Sequence, residues 1–309
     1  MKNNDLIVVA GPTASGKTAV AIELAQRLSG EIISADSMQI YKGVPIATAA
    51  PTLEEKAKAP HHLVEFLDIS QSFSVADYAN LAREKITQIR QRGNLPIIAG
   101  GTGLYINSVI NNIDFTEIKS DENLRQELTQ KANELGGQAL LDELMEFDPD
   151  LAKTLHPNNV PRIIRAIEVY RLTGVNMTTH QINSRKKPSE YNLKYIGLTY
   201  RDRQKLYDRI NYRVELMLEA GLIEEAREFL SKNNTKTAMQ AIGYKELKPY
   251  FDGIVTLEQA VDRIKQESRR YAKRQLTWFR RDERINWIYI DECDSQQEVF
   301  DKAEKIARS

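Results

Sequence analysis

The sequence has almost no cysteine: Cys293 is the single one in 309 residues. That excludes a disulfide framework and a cysteine-ligated zinc site, and it suits a reducing cytoplasm. Net charge is lacking as well. The 43 basic residues balance 43 acidic ones, so no global positive field draws polyanions, and any nucleic-acid surface must be a local patch. Long apolar runs are missing too. None approaches the ~20 residues of a membrane span, and the run after the polar start is too short for a signal peptide, so no membrane is expected. No internal repeat or low-complexity tract is visible. With 41% hydrophobic residues the chain can still bury a large core, as one big domain or two unequal ones.

What is present starts at Leu6. The run Leu6 to Ala10 is apolar and β-branched, and reads as a buried parallel strand. Val20, Ala21, Leu24, Ala25 and Leu28 then recur at helical spacing, with Gly30 as a stop. Between strand and helix lies Gly11-Pro12-Thr13-Ala14-Ser15-Gly16-Lys17-Thr18, a glycine loop in the context that phosphate binding requires. Backbone N–H groups and the helix N-terminus would meet phosphate oxygens, Lys17 a terminal phosphate, and the Thr18 hydroxyl a Mg²⁺ ion. The pattern leaves the ligand open.

Further strands are expected at Glu31 to Ala35, Leu63 to Ile69 and Leu95 to Ala99, the last entering a second glycine turn, Gly100-Gly101-Thr102-Gly103. Ser74 to Asp77 resembles a capping box opening a helix. Strands alternating with helices argue for a three-layer α/β core with a parallel sheet, whose ligands bind beyond the carboxyl ends of the strands. From about Ile113 to Lys187 the strand signal vanishes, and breaks at Gly136-Gly137, Asp148-Pro149, His156-Pro157 and Gly174 mark a helical insertion. Strands return at Leu193 to Tyr200 and Trp287 to Ile290. The expected organisation is a core of residues 1–112 and 188–309 interrupted by an insertion of residues 113–187.

Three more features bear on chemistry. Asp36 directly follows a buried strand, which leaves it as a Mg²⁺ ligand, a general base or a turn cap. On the helix Asp202 to Ala220, Arg209 and Arg213 fall on an otherwise apolar arc. Buried guanidinium groups need an anion, either a carboxylate or a bound diphosphate. From Asp262 to Arg284 there are nine basic residues against four acidic ones, which reads either as a solvated amphipathic helix or as a phosphate-backbone surface. Arg162 and Arg165 likewise share one helix face in the insertion.

Taken together, GPTASGKT, SADSMQIYKG, Gly100 to Tyr105, His156 to Asn159, Arg162 to Glu168, Gln240 to Lys245 and Lys273 to Arg280 resemble the bacterial tRNA dimethylallyltransferase family, in order, from residue 6 to about 287. The resemblance implies a P-loop kinase-like α/β core in which dimethylallyl diphosphate, not ATP, occupies the loop. It implies attack of N6 of adenosine-37 of tRNA on the allylic carbon, with diphosphate leaving. Asp36 would be the general base, Thr18 would serve Mg²⁺, and Lys17 and Arg213 would meet the diphosphate, with Arg209 a less certain partner. Contacts to the anticodon stem-loop would come from Asp36, Ser37, Met38, Gln39, Thr102, Arg125, Pro161, Arg162, Ile163, Ile164, Arg165, Gln240, Ala241, Ile242, Gly243, Tyr244 and Lys245. A channel with the diphosphate at one end and the flipped base at the other would exclude water. A cytoplasmic monomer is expected.

One stretch departs from the family. Where it usually reads Gly-Thr-Ala-Lys-Pro, this chain reads Ala47-Thr48-Ala49-Ala50-Pro51. If that glycine needs a positive φ, Ala47 would be strained. The zinc finger of some eukaryotic relatives is also absent. A small-molecule kinase and a free-nucleotide prenyltransferase would share the loop. The HPNN and QAIGYK segments and the basic helix argue against both, because a small acceptor needs no such surface. A non-catalytic RNA-binding protein would not need Asp36 beside a Lys17-Thr18 loop.

Overall fold

The computed structural model describes residues 4–113, 120–184, 188–232, 235 and 238–309. It divides into two compact units, Met1–Ile110 with Glu190–Ser309, and Asn111–Ser189. The stretches 114–119 and 185–187 of the expected insertion lie outside the described residues.

The first unit is built on a six-stranded parallel sheet: β1 (Asp5–Ala10), β2 (Gly30–Ser34), β3 (His61–His62), β4 (Leu95–Gly100), β5 (Asn192–Thr199) and β6 (Asn286–Tyr289), in the order β3-β2-β4-β1-β5-β6. Every residue of β1 and β2 is buried, as strands of a parallel sheet covered on both faces must be. Along the chain the helices of this unit are α1 (Lys17–Leu28), α2 (Pro45–Thr48), α3 (Leu53–Lys58), α4 (Val75–Gln91) and α5 (Gly103–Ile110). The second unit follows with α6 (Glu122–Leu135), α7 (Gly137–Phe147), α8 (Pro149–Ala152), α9 (Val160–Thr173) and α10 (Met177–Ser184). The first unit resumes with α11 (Arg203–Glu219), α12 (Leu222–Leu230), α13 (Tyr244–Phe251), α14 (Leu257–Phe279) and α15 (Gln296–Arg308). Among the described residues no helix is long and apolar enough to cross a membrane.

Local chemistry explains most boundaries. The capping box before α4 forms as the sequence suggests: Ser74 Oγ accepts from the Asp77 N–H, and the Asp77 carboxylate accepts from the Ser74 N–H. Two expectations are corrected. Gly30 does not stop α1. Ser29 holds the left-handed cap at φ 51°, and Gly30 opens β2, where a Cβ would lie 2.8 Å from the Ile97 side chain. The strand expected over Leu63 to Ile69 is replaced by the two-residue β3. Leu63 and Glu65 have φ of 59° and 49°, which breaks extension, and this stretch pairs locally with the segment after Asp36, Phe66 N–H donating to Ile40 O.

In the second unit Leu128, Leu140, Leu144, Ile163 and Ile167 form a separate helical core. Glu168 is buried there. It accepts from Arg125 Nε at 2.8 Å, from Arg165 and from the Asp121 N–H at 2.9 Å. Burial alone would raise its carboxyl; the two guanidinium groups outweigh that and hold it below the usual carboxylate range.

Candidate active site

Three segments leave the carboxyl ends of adjacent strands β2, β4 and β1, and they converge. The loop after β1 is the phosphate loop. Its shape needs Gly16 at φ 74°, and Gly11, where a Cβ would lie 2.3 Å from Leu198 O. Ala14 also takes a left-handed φ of 63°. Ser15 Oγ donates to Pro12 O at 2.8 Å, and so does Lys17 Nζ at 2.7 Å. Asp36 follows β2, and Gly100 to Thr102 follow β4. Thr102 Oγ1 accepts from the Ser37 N–H at 3.1 Å, which joins the last two segments.

Around them lies a cavity of about 350 Å³, lined by Thr13, Lys17, Thr18, Asp36, Ser37, Met38, Gln39, Arg213, Ala241, Ile242 and Lys245, among others. One wall is apolar, with Ile210, Val214, Met217, Ile242 and Ile264. The lining also carries opposed charges. Burial pulls the Lys17 ammonium down to about 7; Arg213 adds to that fall and Asp36 opposes it. The Arg213 guanidinium is also lowered by burial, against Asp36 and Glu55. These cations therefore gain from an incoming anion. Asp36 Oδ1 accepts from the Met38 N–H at 2.9 Å, so the turn cap foreseen for it exists, and Asp36 still lines the cavity.

Of the two arginines on α11, only Arg213 lines this cavity, its Nη1 donating to Thr13 Oγ1 at 3.2 Å. Arg209 is exposed and borders a different hollow, with Ser15, Gly16 and Tyr200. Neither forms an ion pair among the described residues.

A family model described as IPP transferase matches residues 39–282. The chain belongs to this family. It is 48% identical over 297 residues to a tRNA dimethylallyltransferase of Halalkalibacterium halodurans, covering 96% of this chain and 94% of that protein. The match to a tRNA dimethylallyltransferase of Bacillus subtilis is 49% over 284 residues, covering 92% and 90%. The structure resembles a full-length tRNA isopentenylpyrophosphate transferase from Bacillus halodurans, with TM-score 0.73, 47% identity and coverage of 99% and 96%. It also resembles a eukaryotic dimethylallyltransferase captured acting on tRNA, with TM-score 0.80, 28% identity and coverage of 98% and 78%.

The residues that the family resemblance assigned to tRNA differ in their surroundings. Tyr244 is fully buried, stacks on Phe229 and donates its hydroxyl to Glu225. Ile163 and Ile164 belong to the core of the second unit. Arg125 and Arg165 are engaged by Glu168, while Pro161 and Arg162 are exposed. Gly243 turns at φ 115° ahead of α13. The Gln240 side chain lies outside the described residues.

Ala47 is not strained. It lies inside α2, without a positive φ, and Glu225 accepts from the Ile46 and Ala47 N–H groups at 2.8 Å each. The left-handed position is Ala49, at φ 46°. Sequence reasoning did not assign Tyr271, Arg274 and Gln275 to the site, and they also line the cavity. Burial, and behind it Asp36, raises the Tyr271 phenol above its ordinary range.

Proposed function

We infer that this chain transfers the dimethylallyl group of dimethylallyl diphosphate to N6 of adenosine-37 in tRNA and releases diphosphate. The observation that carries this reading is a single cavity that joins Lys17 and Arg213, an apolar wall, and Asp36. The cations suit a diphosphate, the wall suits a five-carbon isoprenoid, and the carboxylate suits an amine that must lose a proton. The curated relatives act as tRNA dimethylallyltransferases by name, and they match nearly the whole chain.

In this mechanism the N6 lone pair forms a bond to C1 of the isoprenoid as the C1–O bond breaks. The electron pair leaves on the diphosphate, and the N6 proton passes to Asp36. Lys17, Arg213 and the loop amides stabilise the departing charge, the largest demand in a reaction with an allylic cation-like transition state. The base must leave the anticodon stack to enter. Arg162, on the exposed face of α9, would meet tRNA phosphates.

The residues also fit a Mg²⁺ ion shared with the diphosphate. Thr18 lines the cavity, and its hydroxyl has no hydrogen-bond partner among the described residues. No cluster of three or more His, Cys, Asp or Glu is placed there to cage a metal among those residues. One hydroxyl plus substrate oxygens is the ligand set that Mg²⁺ accepts, and the ion would neutralise diphosphate charge.

The test is transfer of label from dimethylallyl diphosphate into tRNA, with ATP present or absent. Label should enter tRNA without ATP. Phosphorylation of a small acceptor by ATP would replace this reading with a kinase.

A further inference from the structure

Gln275 lies one turn before the C-terminal end of the basic helix α14 yet is 5% exposed, and both ends of its amide are used. Its Oε1 accepts from the Thr13 N–H at 2.8 Å, and its Nε2 donates to Gly101 O at 3.0 Å. One side chain thus joins the phosphate loop to the second glycine turn. The consequences extend one bond further on each side. Thr13 Oγ1 accepts from Arg213, and Thr102, next to Gly101, receives the N–H of Ser37 beside Asp36. A Cβ on Gly101 would lie 2.1 Å from Gln275 Nε2, so no larger residue fits without moving the amide.

We propose that Gln275 is a positioning residue that sets the spacing between the diphosphate seat and Asp36. Attack requires C1, held through its diphosphate, and N6, held near Asp36, to meet at reacting distance. The two holders hang on different strands, β1 and β2, and β4 lies between them in the sheet. The amide ties the β1 loop to the β4 turn, and Thr102 ties that turn to the Asp36 segment. A buried amide with both partners satisfied is rigid, and losing it leaves a buried N–H and a buried C=O unpaired. Misplacement of about 1 Å costs on the order of 10²-fold in rate. The inference rests on the prenyl-transfer reading above.

The experiment measures kcat, both KM values and the rise in melting temperature caused by pyrophosphate. It compares the full chain with Gln275→Ala, Gln275→Met, Gly101→Ala and the double variant Gly101→Ala/Gln275→Ala. Gln275→Met keeps the packing volume and loses both hydrogen bonds. We expect kcat to fall about 10²-fold in both Gln275 variants, with the pyrophosphate response retained and each KM moving far less than kcat. Gly101→Ala should lose kcat similarly. The double variant should be no worse than Gln275→Ala, because truncating the glutamine makes room for the new methyl. Full kcat in Gln275→Met would overturn the proposal in favour of packing. Parallel loss of pyrophosphate response and kcat would reduce Gln275 to support of the phosphate loop. Additive losses in the double variant would also overturn it. A wild-type chain that transfers no dimethylallyl group would instead refute the functional reading.

Discussion

Arg213 reaches from α11 to the phosphate loop, where its guanidinium donates to the Thr13 hydroxyl at 3.2 Å. Arg209, one turn earlier on the same helix, faces a different hollow beyond Ser15 and Gly16. The two arginines therefore separate by function. Arg213→Ala should weaken diphosphate binding and slow turnover by roughly 10- to 10²-fold, the worth of one charge-assisted hydrogen bond. Arg209→Ala should stay within a few-fold of wild type. Steady-state kinetics on both variants decides it, and the opposite ranking would move the diphosphate to the other side of the loop.

Lys17 gives a pH signature with a defined sign. Burial places its folded pKa at about 7, below the ordinary lysine value. Between the two values the unfolded chain binds more protons than the folded one, so this group's contribution to stability rises with pH across that window. Below about 7 the buried cation is fully disfavoured. Lys17→Met should therefore raise the melting temperature of the ligand-free protein at pH 6 while abolishing the pyrophosphate response. Affinity for dimethylallyl diphosphate should fall as pH rises above about 7, because binding must then recruit a proton. A pH-independent affinity across that range would show that Lys17 is already charged without ligand.

Asp36 carries two duties that one substitution separates. Asp36→Asn keeps an oxygen for the Met38 N–H and removes the base. Turnover should drop about 10²–10⁴-fold, with melting temperature little changed. Near-normal turnover in Asp36→Asn would leave only the turn cap.

The second unit should show the same division between structure and binding. Arg162 is exposed, so Arg162→Ala should flatten the slope of log affinity against log salt by roughly 0.7 to 0.9, one phosphate contact. Arg165 and Arg125 hold Glu168, so Glu168→Ala should lower the melting temperature by stranding both cations and the Asp121 N–H. Because the Glu168 carboxyl is held below its ordinary range, its stabilisation is present at neutral pH and is lost as pH falls through that lowered value. An unchanged salt slope in Arg162→Ala would remove α9 from the RNA surface.

The parts of this architecture set by local chemistry were legible in the chain. β1, the glycine loop, the capping box at Ser74 and the helical run with its breaks at Gly136 and Pro149 all depend on neighbours a few residues away. What could not be read there depends on distant partners. Leu63 to Ile69 is apolar enough to read as a strand, but positive φ at Leu63 and Glu65 folds it against residues 39–42. A helical wheel puts Arg209 and Arg213 on one arc and is blind to position along the axis, where one turn moves a side chain about 5.4 Å, from one side of the phosphate loop to the other. Tyr244 falls in a motif suited to RNA, yet its hydroxyl serves Glu225, 19 residues earlier. Gln275 gives no sequence signal of its role, since its two partners are 262 and 174 residues away.

The most direct test of the account is the chemical identity of the product. Anticodon stem-loop RNA, treated with the protein and dimethylallyl diphosphate, is digested to nucleosides and analysed by mass spectrometry, with free AMP treated in parallel. One dimethylallyl group should be added on N6 of the adenosine corresponding to position 37, and AMP should stay unreacted. Efficient prenylation of AMP, or attachment at any other atom of the RNA, would contradict it.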